Sequence, residues 1–319
     1  MVESMNKPRR LRTPATQSPE PFIGPVRTPT LEFPPMVNNL PDFQEHIVWL
    51  REQQAHMERL SRNSEYAEVK IKSDSPIGIA LTSDWHIGSG ETDYETFERH
   101  MNLIKNNPNM YMAALSNTID GYVWAGGIWS EVAHIPEQVE IAKSFAKEWK
   151  DKLLAVVGSR CHDWTKDQGG ISPQETAFLD NVDSGMPFFQ SGGLLTVDLN
   201  GIKYKIGMQH KSRFNSSLNV TNANKRTLDL RWPSADVVAI AHHHVAAIEH
   251  VARWEGEDKK DVVLVRTGTY KIGDQWGRSE GFGEGQLGSP AIVLDPKTKH
   301  IIPFLHIEDA ESYLRAVRR

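Results

Sequence analysis

A layered α/β sandwich with mixed sheets, preceded by an extended proline-rich arm, is the fold class the sequence predicts. Three observations carry it. From about Ile77 onward short apolar runs alternate with helical stretches. An opening order of strand, helix, strand gives way to strand-rich hairpins, the mark of a layered architecture. Eight prolines fall in the first 40 residues (Pro8, Pro14, Pro19, Pro21, Pro25, Pro29, Pro34 and Pro35). That density blocks both helix and ladder pairing, so residues 1–40 are expected to be extended or disordered, with no core of their own.

The elements follow in order. From Pro41 to about Arg62, Phe43, Ile47, Leu50, Met57 and Leu60 recur at helical spacing after a Pro-Asp start, which predicts one amphipathic helix. Gln54 interrupts the stripe and argues against a long coiled coil. IGIALTSD, MYMAALSN, LLAVVGS, LLTVDLN, YKIGMQH, VVAIAHH, VVLVRTG and AIVLDP read as strands, with helices near 93–106, 137–150 and 173–181. The expected division is a proline-rich arm at 1–40, a helix and linker at 41–75, a catalytic-type domain at 76–307 and a helical tail at 308–319.

Composition narrows the function. The chain has 319 residues, 39% of them hydrophobic and 24% charged, which allows a large core in a soluble protein. A net charge of -5 excludes a generally basic nucleic-acid coat and leaves room for a local basic patch. With Cys161 as the one cysteine, no intramolecular disulfide can form and a CxxC zinc ribbon is excluded, which fits a reducing compartment. The N-terminus lacks an apolar signal segment and no stretch approaches a membrane span, so a cytoplasmic protein without a membrane partner is expected.

The chemistry gathers where strands end. Asp84-Trp85-His86 follows IGIALTS, and residues two apart at a strand end project to one side, so carboxylate and imidazole can meet one metal ion. Ser116-Asn117-Thr118-Ile119-Asp120 follows MYMAAL, and Gly158-Ser159-Arg160-Cys161-His162-Asp163 follows LLAVV. His210-Lys211 follows YKIGMQ, and AHHH carries His242, His243 and His244. If the chain stays extended there, His242 and His244 share a face and His243 points away. A lone histidine on an apolar strand is usually a core residue, and a single DxH triplet is weak. Five strand ends each bearing a ligand-type side chain are harder to dismiss.

In this order the motifs resemble those of the calcineurin-like metallophosphoesterase family, whose pattern runs DxH, GDxxD, GNH followed by an acid, a lone His, and GHxH. The resemblance spans roughly Ile77 to Phe304, and HKSRFNSSLN before the AHHH strand is similar to phage-encoded members. It implies a metallophosphoesterase-type βαβ sandwich. It also implies that Asp84, His86 and His244 hold a first divalent ion, and that His210 and His242 hold a second. Manganese is the first expectation, with iron and zinc also suited to these donors. In such sites two cations about 3.5–4 Å apart polarise phosphoryl oxygens and supply a bound hydroxide for in-line attack. His162 would act as general acid at the leaving group, oriented by Asp163.

The sequence departs from the family at two ligands. Asn117 stands where the family has its bridging aspartate, offering one neutral oxygen in place of a carboxylate. Cys161 falls on the asparagine of GNH, a soft thiol for an oxygen donor, with Arg160 beside it as a fixed positive charge. Both changes fall chiefly on the second ion, which predicts an asymmetric or single-metal centre. Cys161 and Asp120 are additional candidate ligands. Ser116 and Ala241 replace family glycines, at a cost in backbone freedom only.

Near the site Lys211, Arg213, Lys225, Arg226 and Arg231 cluster with Asp229 alone against them; Lys211 and Arg213 are candidate substrate-phosphate contacts, and the alternative is a solvated face. Trp85, Trp124, Trp129 and Trp164 lie in or after motif loops, where packing is the commoner role and base stacking the rarer. The expected function is a metal-dependent phosphoesterase, with a phosphodiester and nucleic acid or a nucleotide as the substrate class. The alternative is a catalytically impaired member serving as a structural subunit, for example in a phage particle. It would hold a homo-oligomer or other partner through residues 1–62.

Overall fold

The computed structural model describes residues 43–121, 130–159, 161, 172–179, 185–216, 218–273, 278, 281 and 283–318. The proline-rich arm lies outside them. The chain divides into two units, one ending at Arg51 and the other running from Glu52 to Arg319. In the first, the described residues begin helix α1 (Phe43–Glu65), with Phe43, Val48, Trp49 and Leu50 exposed.

The second unit is built on two six-stranded mixed sheets. One contains β2 (Ile77–Thr82), β3 (Met110–Ala114), β4 (Leu153–Val157), β5 (Phe188–Phe189), β11 (Ala291–Leu294) and β12 (Ile301–Phe304), in the order β12-β11-β2-β3-β4-β5. Strands β2 to β5 run parallel, and β11 and β12 are added antiparallel. The other contains β1 (Tyr66–Ile71), β6 (Gly193–Leu199), β7 (Ile202–Gln209), β8 (Val237–Ile240), β9 (Ala247–Glu255) and β10 (Asp258–Arg266), in the order β1-β6-β7-β8-β10-β9. Helices α2 (Tyr94–Asn106), α3 (Ile135–Glu148), α4 (Pro173–Leu179) and α6 (Ile307–Val317) pack on the first sheet, and α5 (Asn222–Leu230) on the second.

Strand alternation builds these layers. In β8 and just beyond it, Val237, Ala239 and Ala241 face the core between the sheets, together with Ile79 and Leu81 of β2, while Val238 and Ile240 face α5. Strand β2 is buried along its whole length because both of its faces are covered, which is why its sequence shows no polar alternation. Helix α2 starts where Asp93 Oδ1 accepts the Thr96 amide at 2.9 Å. The β6–β7 hairpin turns through Asn200 and Gly201, both at positive φ (54° and 92°), as the Asn-Gly pair dictates.

The layered α/β sandwich agrees with the fold class read from the sequence, and each of the eight apolar runs contains a strand. Two segments differ from the expected division. Residues 66–71, placed in the linker, form β1 and pair in parallel with β6. The C-terminal segment is no appended tail, because Ile307, Ala310 and Leu314 of α6 are buried against the first sheet. Residues 301–304 form the edge strand β12, a position in which a proline such as Pro303 is tolerated. No helix among the described residues is long and apolar enough to cross a membrane.

Candidate metal centre

The loops that follow β2, β3, β4, β7 and β8 contain Asp84 and His86, Asn117 and Asp120, Cys161, His210, and His242 to His244, respectively. The first two loops run side by side, with the amides of Asp84 and His86 donating to the carbonyls of Ser116 (3.1 Å) and Asn117 (2.9 Å). The third candidate pair, His162 with Asp163, lies outside the described residues, as do Arg160, Trp124, Trp129 and Trp164.

Asp84 is the hub, with no exposed surface. Its Oδ1 accepts Asn117 Nδ2 at 3.0 Å and lies 3.4, 3.7 and 3.9 Å from Nε2 of His244, His86 and His210. Its Oδ2 accepts from Ser83 Oγ at 2.8 Å and from the His242 amide at 3.2 Å. Burial pushes the Asp84 carboxyl up, but the imidazoles of His210 and His244 outweigh it and hold the group well below the ordinary carboxylate value.

Two of the histidines are held by their far nitrogens. His86 Nδ1 meets Asp120 Oδ1 at 2.6 Å, and the same oxygen accepts Lys271 Nζ at 2.9 Å. His210 Nδ1 donates to the Leu115 carbonyl at 2.8 Å. An acceptor on Nδ1 fixes the tautomer that presents an Nε2 lone pair, the arrangement found behind metal-ligating histidines. Burial pushes the His86 imidazole down, and its bonds to Asp120 and Asp84 raise it above the usual value. Burial lowers His210 against the pull of Asp84, and burial with the nearby His210 lowers His242 to about 2.

Asp120 was a candidate ligand from its motif, and its position redirects that expectation. Its carboxylate stands behind His86, where it orients the ring. Lys271, which no motif marked, belongs to the same buried network. Glu131 next to it is pushed up to about 9 by burial and by the Asp120 charge. Arg266, also unmarked, is buried and donates to the Ala241 carbonyl (3.0 Å) and to Asn215 Oδ1 (3.2 Å), which ties the histidine loop to the loop after β7.

Among the described residues, two sets of three side chains each offer ligand atoms within 4.8 Å of one another: Asp84, His86 and His244, and Cys161, His210 and His242. The donors suit a divalent ion, and among the described residues the buried Asn117 Oδ1 has no hydrogen-bond partner. The backbone explains how the histidine triplet reaches both sets. The chain is not extended through it: β8 stops at Ile240, and His242 and His244 take φ of 79° and 56°. Asp84, His86, Ser116 and Asn117 also take positive φ, and Asn200 of the hairpin is the only other non-glycine residue that does so among those described. Such conformations cost about 1–2 kcal/mol each and gather at functional sites. Ser116, at φ 70°, therefore carries the cost expected for a lost glycine, while its Oγ bonds Gln174 at 3.0 Å; Ala241 takes no positive φ. His243 is exposed and belongs to neither set.

The surrounding charges are largely committed elsewhere. Lys225 pairs with Glu249 at 2.5 Å, and Arg231 donates to the Gly192 carbonyl and to Gln209. Arg213 and Arg226 lie over the Phe214 ring. Lys211 and Arg213 are exposed, and the Lys211 charge is felt at Cys161 and His242. Trp85 is a core residue, packed on Phe97 and Phe145 and facing no substrate.

No family model matches the chain, and no curated protein matches it. Among solved structures it is similar to vacuolar protein sorting 29 from Cryptosporidium parvum, at 12% identity over 72% of this chain and 99% of that one, with a TM-score of 0.38. It is also similar to the calcineurin-like phosphoesterase YfkN from Bacillus subtilis, at 13% identity over 77% and 99%, TM-score 0.37. A third is Vps29 complexed with zinc from Entamoeba histolytica, at 9% identity over 72% and 97%, TM-score 0.33.

Proposed function

We propose that the protein is a metal-dependent phosphoesterase, acting on a phosphodiester of the nucleotide or nucleic-acid class. The observation that carries this reading is the pair His86 and His210, whose Nδ1 atoms are held by Asp120 and Leu115 so that both Nε2 atoms converge on Asp84. Asp84, His86 and His244 would hold one divalent ion, with manganese first and iron or zinc as rivals. His210 and His242 would contribute to a second. Such an ion supplies Lewis-acid polarisation of a phosphoryl oxygen and lowers the pKa of water.

The chain's own residues provide the rest. Asp120, itself met by Lys271, holds the His86 ring, and Leu115 holds that of His210. Asp84 supplies the buried negative charge. Lys211 and Arg213, on the exposed side, would bind substrate phosphate. His162 is assigned to proton delivery at the leaving oxygen, with Asp163 orienting it and Arg160 adding positive charge, on the strength of the motif resemblance.

The test is hydrolysis of an aryl phosphodiester with added manganese. His244→Ala should abolish turnover and manganese binding at the Asp84 set, and His162→Ala should abolish turnover alone. A specific observation favours a second reading, a catalytically impaired interaction subunit: the Asn117 amide occupies Asp84 Oδ1 at 3.0 Å, where a bridging carboxylate would serve two ions. Absence of turnover with manganese, iron or zinc, together with an oligomer that dissociates on removal of residues 1–62, would favour it.

A further inference from the structure

The two sets of donors differ in kind. Asp84, His86 and His244 offer one carboxylate oxygen and two imidazole nitrogens; Cys161, His210 and His242 offer one sulfur and two nitrogens. Oxygen-containing sets accept manganese and iron, whereas thiolates select thiophilic ions such as zinc, cadmium and cobalt(II). We propose that Cys161, His210 and His242 form a zinc-selective thiolate site, so that the centre is asymmetric in chemistry, with two non-equivalent ion positions. The proposal rests on the metal-centre reading above and specifies its second position.

Three features support it besides the sulfur. His210 is buried, and its Nδ1 is occupied by the Leu115 carbonyl, so Nε2 is the nitrogen it can offer. That nitrogen lies 3.2 Å from His242 Nδ1, two ring nitrogens converging on one point. Cys161 itself is half-buried, within reach of solvent reagents, and its amide is anchored on Ser159 Oγ at 3.0 Å.

Because Cys161 is the sole cysteine, thiol chemistry reports on this site alone. The full chain, freed of metal and then titrated with cobalt(II), should develop a near-ultraviolet thiolate-to-cobalt charge-transfer band. Cys161→Ser and His242→Ala should lose the band, and His244→Ala should keep it. In parallel, zinc should slow the reaction of Cys161 with an aromatic disulfide reagent by at least about tenfold, because a ligated thiolate is withheld from attack on the disulfide. Manganese at the same concentration should not protect. Circular dichroism of each variant checks that it is folded. Should His242→Ala fail to fold, zinc protection of the unaltered chain still decides the matter. Cobalt binding without a charge-transfer band and with no zinc protection overturns the thiolate site while leaving the Asp84 set standing. Absence of any cobalt, zinc or manganese binding overturns both.

Discussion

Replacing Asn117 by aspartate tests the electrostatics of the centre most sharply. Asn117 Nδ2 donates to Asp84 Oδ1 at 3.0 Å, and neither residue reaches solvent. A carboxylate there would place two like charges about 3 Å apart, a repulsion of about 5.5 kcal/mol at an effective dielectric of about 20. Protonating one of the two sets a lower ceiling, since at pH 7 that costs about 4 kcal/mol for a group of ordinary pKa near 3.9. The proton then restores a donor to Asp84 Oδ1. Without metal, Asn117→Asp should therefore lose about 4 kcal/mol at pH 7 and only about 1.5 kcal/mol at pH 5. The sign follows from a carboxyl whose folded pKa is raised: the folded state holds the extra proton, so stability falls as pH rises. Divalent ions should reverse the penalty, because two carboxylates then face cations, and metal affinity should rise. Urea denaturation at both pH values, with a chelator or with manganese, measures all of this. Unchanged metal-free stability at both pH values, with unchanged metal affinity, would refute the reasoning.

Other substitutions probe the supports. Asp120→Asn should lower metal affinity by about 10–100-fold. It should also cost about 3–5 kcal/mol, because it removes the buried carboxylate that meets both His86 and Lys271; isothermal titration and denaturation measure the two effects. Gly207→Ala should destabilise by about 1–3 kcal/mol without altering metal binding, since the added Cβ would meet the Trp232 ring at 2.4 Å. A melting curve and a metal titration decide it. The metal-free protein should lose stability as pH falls from 7 to 5, because His242, lowered to about 2, stays neutral when folded and charges below about 6.5 when unfolded. That residue accounts for at most about 2 kcal/mol by pH 5, and a His242→Asn variant should show a correspondingly flatter profile in denaturation experiments.

Much of the sandwich was legible because its core strands are covered on both faces and therefore read as unbroken apolar runs, as IGIALT does. The site was legible in its residue types, because Asp84, His86, His210 and the histidine triplet all follow such runs. Its geometry was less so. The extended chain on which a shared face for His242 and His244 depends is not formed, because both residues turn through positive φ, a conformation no periodicity announces. Asp120 was visible as an acid near the site but not as the support of His86, because that role depends on which ring nitrogen it meets. Lys271 was invisible: it lies 151 residues from Asp120 in sequence and meets it only after the fold forms. Strand β1 is hard to separate from the helix before it, because its alternation of Ala67, Val69 and Ile71 with Tyr66, Glu68 and Lys70 lasts six residues and directly follows a helical stripe.

Anomalous diffraction from crystals grown with manganese tests the central claim most directly. An ion should lie in direct coordination contact with the Asp84 carboxylate and with Nε2 of His86 and His244. A manganese ion bound elsewhere, or no ion beside these three side chains at saturating concentration, would contradict it.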